Sequence, residues 1–272
     1  MVGMPTTPTI ADACRLLESI APCVLAEEWD NVGLLVGDPA APLSRVLTCL
    51  TLSPDVVDEA IAADASLVVT HHPLPFRGVK SLTTESVDGG SLWRLARAGV
   101  AVYSPHTAYD SAAGGVNQQW ADRLGLTATR ALAPTPDRTD GAGVGRVGRW
   151  PGGDFDALAE RVKQLTNQPQ VRVVTPEVVS YIDRGATVAI ACGSGGSLLD
   201  LAVRAGCDVF LTGEMGFHEC LRCRSLGVGV ILTGHYASER FALETLADRL
   251  RAGLPGVEAT ASRTERDPLQ SV

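Results

Sequence analysis

Apolar and polar positions along this chain switch repeatedly between two periods, and the switching predicts an α/β protein. Positions 10–20 repeat apolar residues at helical spacing and stop ahead of Pro22. Positions 45–52 read as a strand and 54–63 as a helix with proline in its first turn. Positions 67–70 read as a short buried strand. Further helices are predicted over 91–98, 114–124, 155–165, 198–205 and 238–251, with one more between 211 and 228 that carries His218, Cys220 and Cys223. Further strands are predicted over 100–103, 144–147, 171–174, 187–192, 209–211 and 228–232. Gly99 and Gly125 are placed to stop two of the helices. The stretch 133–153, rich in Pro, Gly, Asp and Arg, reads as a connection between lobes. This divides the chain into a first α/β lobe, 1–126 with 230–272, and a second, 127–229. The polar end, 262–272, is expected to fray.

At 272 residues the chain buries a sizeable core. Its net charge of -8 argues against broad electrostatic binding to nucleic acid, which needs arrays of Lys and Arg. No apolar run reaches the roughly 18 residues of a membrane span, and residues 1–10 show no signal-peptide pattern, so a cytoplasmic location is expected. Seven cysteines, an odd count without framework spacing, fit reduced thiols.

Chemistry concentrates at the ends of three predicted strands. The strand at 67–70 delivers His71 and His72, the next delivers His106, and the strand at 228–232 delivers His235. Asp110 follows His106 by four residues and Glu239 follows His235 by four, a spacing that shares one helical face. Four of the five histidines lie in these blocks. Neutral imidazole and carboxylate oxygen suit zinc, iron and manganese, and open α/β sheets place sites beyond the carboxyl ends of strands. The reading is two divalent ions per subunit held by His71, His72, His106, Asp110, His235 and Glu239. Glu239 is the candidate to bridge the pair. Five or six donors shared over two ions leave positions open, which leans toward catalysis.

Taken together, the blocks resemble the Nif-three-like dinuclear metal centre proteins, also called GTP cyclohydrolase I type 2 homologues. The likeness also rests on Glu28-Trp29-Asp30-Asn31-Val32-Gly33-Leu34, Gly193-Ser194-Gly195-Gly196-Ser197, Thr212-Gly213-Glu214 and Gly234-His235. It implies two interlinked α/β lobes with the dinuclear site in the cleft between them, and a toroidal homohexamer. It implies direct ligation by His71, His72, Asp110, His235 and Glu239, with His106 lining the site or ligating. One departure is Ala108-Tyr109 where the family often has Asn-Leu; it removes an amide and adds a phenol.

Asp30 and Asn31 are read as facing the cleft to orient water or substrate, against a plain turn-capping role. The turn Gly193, Ser194, Gly195 and Gly196 is read as a phosphate cradle, against a tight turn that needs positive φ. Cys220 and Cys223 read as helical core positions rather than half a zinc site. His218 follows Glu214 by four residues, and either is a candidate proton carrier. The function expected is a metal-dependent hydrolase in which a metal-bound hydroxide attacks a nucleotide-like substrate, with Asp30, Glu214 and His218 as catalytic groups. The family name points to opening of the GTP imidazole ring. A related reading is hydrolysis of a phosphoester or cyclic amide. The rival is a non-catalytic metal-binding hexamer that acts through protein partners.

Overall fold

In the computed structural model, residues 7–176 and 185–270 are described. Expectations for residues 1–6 and for 271–272 lie outside them. The chain forms two compact units: Met1–Tyr109 with Arg240–Val272, and Asp110–Glu239 inserted between them.

The first unit opens with helix α1 (Ile10–Ile20). A reciprocal cap starts it: Thr9 N–H donates to the Asp12 carboxylate at 2.7 Å, and the Thr9 hydroxyl accepts from Asp12 N–H. Its buried face is Ile10, Ala13, Leu17 and Ile20, the 3–4 spacing seen in the sequence. Strands β1 (Gly33–Val36) and β2 (Arg45–Cys49) follow, then α2 (Pro54–Ala62), β3 (Leu67–Thr70), α3 (Val87–Arg97) and β4 (Ala101–Ser104). Every residue of β3 and β4 is buried, as expected for strands covered on both faces. A single helical turn, α4 (His106–Ser111), carries the chain out of the unit.

The second unit continues with α5 (Val116–Leu124), β5 (Thr127–Arg130), the short pair β6 (Ala133–Pro134) and β7 (Gly143–Val144), β8 (Arg146–Trp150) and α6 (Phe155–Thr166). Then come β9 (Arg172–Val174), β10 (Ala186–Ser194), α7 (Leu199–Arg204), β11 (Val209–Glu214), α8 (Phe217–Ser225) and β12 (Gly229–Leu232). A second short turn, α9 (His235–Glu239), leads back to the first unit, which ends with α10 (Ala242–Gly253) and β13 (Glu258–Ala261).

The first sheet has the order β1-β4-β3-β2-β13, parallel except for β1. The second has the order β5-β8-β10-β11-β12-β9, with β10, β11 and β12 parallel. The units part at 109/110 and 239/240, where the sequence reading placed 126/127 and 229/230. The difference has a visible cause. Arg146, fully buried, donates to the carbonyls of Gly143, Gly145 and Ala112 and to Gln118 Oε1 at 2.7–2.8 Å. Trp120 Nε1 donates to Ser238 O at 2.7 Å. These bonds tie the segment after α4 to β8, and α5 to α9.

Other differences follow from side-chain contacts that periodicity cannot show. The helix expected over 238–251 is two helices, α9 and α10. Arg240 at the break pairs with buried Glu265 at 2.8 Å and donates to Ser262 O at 2.7 Å. The end expected to fray is pinned as far as Glu265. The Glu265 carboxylate accepts from Leu50 N–H at 3.0 Å and Thr51 N–H at 2.6 Å. Glu59 accepts from the Ser262 hydroxyl, Arg263 N–H and the Thr264 hydroxyl at 2.5–2.8 Å. Cys223 is fully buried in the core of the second unit with Cys220 packed against it, as core positions would be. Among the described residues, no helix is long and apolar enough to cross a membrane.

Glu265→Ala removes a buried carboxylate that half-buried Arg240 shares with Glu244 as its ion-pair partners, and it leaves two backbone donors without their acceptor. The expected cost is about 3–5 kcal/mol, measured by denaturant unfolding; a loss under 1 kcal/mol would refute the anchor. Burial raises the Glu59 pKa, but the hydrogen bonds from Ser262, Arg263 and Thr264 outweigh it and hold the carboxyl below its ordinary 4.5. A depressed folded-state pKa stabilises above the unfolded value, and that stability is lost as pH falls through the folded one. The melting-temperature gap between wild type and Glu59→Gln should therefore be wide at pH 7 and shrink below pH 4.5. An equal gap at both ends, in parallel thermal melts, would count against this.

Candidate metal centre

In the first unit the donors extend a buried strand. Past β3, His71 N–H donates to Cys49 O at 2.9 Å and His72 N–H to Leu50 O at 2.8 Å, so the backbone stays in ladder register. Consecutive residues of an extended chain point opposite ways, yet both rings join a third. The centroids lie 5.3 Å apart for His71 and His72, 5.2 Å for His71 and His106, and 5.6 Å for His72 and His106. One nitrogen from each ring falls within 4.8 Å of the other two. Metal–nitrogen bonds of about 2.1 Å put two ligands of one ion at most about 4.2 Å apart. Three such ligands on one ion average about 3.5 Å apart, so side-chain shifts of up to about an ångström bring the three rings onto one ion.

His106 is held in an uncommon backbone conformation, with φ of 24°. Asp30 explains how. Its fully buried carboxylate meets His106 Nδ1 at 2.7 Å and accepts from Thr107 N–H at 3.1 Å and the Thr107 hydroxyl at 2.5 Å. Burial alone would raise the Asp30 pKa, but His106 and Thr107 hold it below the ordinary carboxylate value. Asp30 is therefore a support for the ring rather than a group that orients water. Asn31 donates to Pro75 O at 2.8 Å, a loop-to-loop clip. On the other side, Thr51 Oγ1 meets His72 Nδ1 at 2.8 Å. Sequence reasoning missed Thr51, because only the fold brings β2 and β3 together.

In the second unit Asp110, His235 and Glu239 gather with a partner that the motifs did not name. Cys192 Sγ donates to Asp110 Oδ1 at 3.1 Å. Burial raises this thiol well above its ordinary pKa, and the Asp110 and Glu239 carboxylates add to the effect. Asn117, buried, donates to Asp110 O at 3.1 Å and accepts from Cys192 N–H at 2.8 Å. The His235 ring lies between two carboxylates, with Nδ1 3.2 Å from Glu214 and Nε2 3.2 Å from buried Glu239. Glu239 first, then Glu214 against the cost of burial, push its pKa up to about 9. Glu214 thus acts on the imidazole from behind. Two carboxylates at one imidazole, and a third carboxylate beside a protonated thiol, are a setting that a cation balances, so the donor chemistry fits divalent ions.

The glycine turn serves this cluster instead of a phosphate. Gly193 has φ of +62°, and a Cβ there would stand 2.3 Å from Glu239 Oε1. Its N–H is already used by Ser238 Oγ at 2.9 Å, and that of Gly195 by Thr212 Oγ1 at 3.0 Å. A Cβ on Gly195 would meet Thr212 Oγ1 at 2.5 Å, and one on Gly196 would lie 3.6 Å from the Glu219 carboxylate. Ser194 is exposed beside them. The cradle expected at Gly193, Ser194, Gly195 and Gly196 gives way to a close-packing turn flanked by an acid. His218 also departs from expectation. Glu214 ends β11 and His218 sits on α8, so the shared helical face does not exist; His218 is exposed against Phe217. Tyr109, read as added bulk near the site, is fully buried, and its hydroxyl donates to Ala242 O at 3.4 Å.

A family model described as Duf34/NIF3 (NGG1p interacting factor 3) matches residues 8–268. The GTP cyclohydrolase 1 type 2 homolog of Lactococcus lactis is 33% identical over 263 residues, covering 97% of this chain and 99% of that protein. The Protein NIF3 homolog of Schizosaccharomyces pombe is 34% identical over 273 residues, covering 95% and 96%. A Bacillus cereus protein described as related to NIF3 shares the fold, with a TM-score of 0.87 at 24% identity over 98% of this chain and 100% of that one. A single α/β inventory, a match over nearly the whole length and the donors it contains lead to one assignment: the chain is a member of the Duf34/NIF3 family.

Proposed function

We propose that this protein is a dinuclear metal-dependent hydrolase acting on a nucleotide-like substrate. The observation that carries the reading is the triad His71, His72 and His106, with Asp30 and Thr51 braced behind two of its rings. Supports of this kind raise ligand basicity and fix the ring. Relatives named as GTP cyclohydrolase 1 type 2 homologs support the substrate class.

In this reading His71, His72, Asp110, His235 and Glu239 hold two ions, with His106 beside them. Support comes from the course of the chain. It leaves the first unit within α4, between His106 and Asp110, and returns just past Glu239 at the end of α9. Divalent ions, when bound by these residues, would supply the Lewis acidity that activates water and polarises an acceptor oxygen of the substrate. The protein's own groups do the positioning. Asp30 keeps the His106 proton on Nδ1, Glu214 does the same at His235 Nδ1, and Cys192 steadies the Asp110 carboxylate. The expected assembly is a homohexamer, checked by light scattering on the purified chain.

A second reading, a metal-binding protein that works through partners, is favoured by the family's description as an interacting factor. Metal analysis combined with a turnover screen separates the two. The expected result is about two divalent ions per chain, turnover of GTP or a related nucleotide with formate among the products, and loss of both in Asp110→Ala. Turnover that survives Asp110→Ala would sink the hydrolase reading; stoichiometric metal with no turnover of any nucleotide would favour the partner reading. Asp30→Asn keeps the shape of the support and removes its charge. It should weaken metal affinity by about 10–100-fold in chelator competition, and unchanged affinity would show that Asp30 has no part in holding the metal.

A further inference from the structure

One feature of the first unit remains without a role. Trp29 and Phe76 lie together in solvent, 59% and 46% exposed, with ring centroids 5.8 Å apart and planes tilted by 38°. The whole chain has four Trp and five Phe, so two of nine are spent on this patch. Contiguous exposed apolar surface beside polar groups is a candidate interaction site. The patch also adjoins the donor triad. His106 stands nearly perpendicular to Trp29, at 6.0 Å and 75°, and to Phe76, at 6.2 Å and 71°.

The two rings are held rather than merely adjacent. Trp29 precedes Asp30, whose side chain is fully buried against His106 and Thr107. Asn31 N–H donates to Asp30 Oδ1 at 2.8 Å, and Asn31 Nδ2 donates to Pro75 O at 2.8 Å. The loop carrying Trp29 is thus clipped to the residue before Phe76. A platform fixed in advance loses little entropy when a ring settles on it.

Geometry limits what the platform takes. Two aromatic plates that sandwich a third ring stand about 7 Å apart and parallel, twice the ~3.5 Å contact distance between ring carbons. Trp29 and Phe76 are too close and too tilted for that, so a ligand stacks on the exposed faces. The indole offers a bicyclic face. Arg77 and Lys80 are exposed on the loop that follows Phe76, two cations in a chain with a net charge of -8. A flat nitrogen heterocycle bearing phosphate matches both features: stacking for the ring, cations for the tail.

We propose that Trp29 and Phe76 form the stacking platform for the base of a purine nucleotide, with Arg77 and Lys80 receiving its phosphates. This rests on the hydrolase reading for its consequence, since a base seated there lies beside the His71, His72 and His106 triad. It does not rest on that reading for binding itself.

The test is calorimetric titration of the full chain, both chelator-stripped and metal-loaded, with guanosine, GTP and ribose 5-phosphate. Guanosine and GTP are expected to bind, with quenching of tryptophan emission, and ribose 5-phosphate is expected to bind far more weakly than GTP. Trp29→Ala should weaken guanosine about 10-fold or more, while Trp29→Phe, which keeps an aromatic face, stays within a few-fold of wild type. The double change Arg77→Ala with Lys80→Ala should weaken GTP and leave guanosine unchanged. Equal guanosine affinity in wild type and Trp29→Ala would overturn the proposal, as would failure of both guanosine and GTP to bind. A fall in assembly mass in Trp29→Ala, read by light scattering, would overturn it too by showing the patch to be a contact between copies. Guanosine binding to stripped protein that never takes up metal upholds the platform while the hydrolase reading fails. Metal-dependent turnover of other compounds with no affinity for guanosine or GTP sinks the platform alone.

Discussion

Oxygen at Nδ1 is the constraint on which the donor set depends. His106 has Asp30 there at 2.7 Å, His72 has Thr51 at 2.8 Å and His235 has Glu214 at 3.2 Å. A neutral imidazole carries one proton and one lone pair, and the group at Nδ1 decides which nitrogen holds which. The Asp30 carboxylate can only accept, so it leaves the His106 lone pair on Nε2, the nitrogen farther from the backbone; His235, with a carboxylate at each nitrogen, frees a lone pair only by giving up its Nε2 proton. Without such supports, a ring at a strand end turns about two side-chain bonds and its lone pair has no fixed direction. The supports come from elements far apart in sequence, so the fold must be complete before these rings are fixed in place.

The rest of the architecture serves delivery. Parallel strands buried on both faces end where their backbone ladders stop, and the next residues are held in place by the last bonds of those ladders. His71 and His72 use the last rungs between β2 and β3. Ser104, at the end of β4, donates to His71 O at 2.7 Å and secures the turn from the neighbouring strand. In the second unit, space is the scarce commodity. Gly213 lies where a Cβ would stand 2.6 Å from both Gly193 O and Ser238 Oγ. With Gly193 it lets β10, β11 and α9 approach closely enough to bring Glu239 beside Cys192.

Local signals in the sequence carried the periodic part of this picture. Helix α1 matches its apolar spacing end to end, and β3 matches its four-residue run, because both are decided by nearby residues and by burial. The donors were legible because histidine is scarce in this chain and four of the five copies sit beyond strands. Three kinds of feature were not legible. Strand β13, Glu258–Ala261, has too little apolar character to announce itself and exists through pairing with β2. The roles of Asp30, Thr51, Asn117 and Cys192 depend on contacts across tens of residues that no spacing rule encodes. The glycine turn was ambiguous by nature, since a bare backbone suits a ligand and a close neighbour equally well; only the positions of Ser238 and Thr212 decide between them.

The pinned end of the chain has a consequence for biosynthesis. β13 pairs with β2, and Glu265 closes on Leu50 and Thr51, across separations of 213 to 215 residues. A ribosome makes the N-terminus first, so β2, β3 and the His71-His72 turn emerge long before the strand and the carboxylate that complete their surroundings. Thr51, which steadies His72, takes its own backbone bond from a residue made 214 positions later. The nascent protein therefore carries its imidazoles without their final buttress while those residues are added. Contacts this distant in sequence form late and slowly. The interval between emergence and closure is when these nitrogens are held most loosely, and their final directions wait for Ser262 to Glu265 to dock.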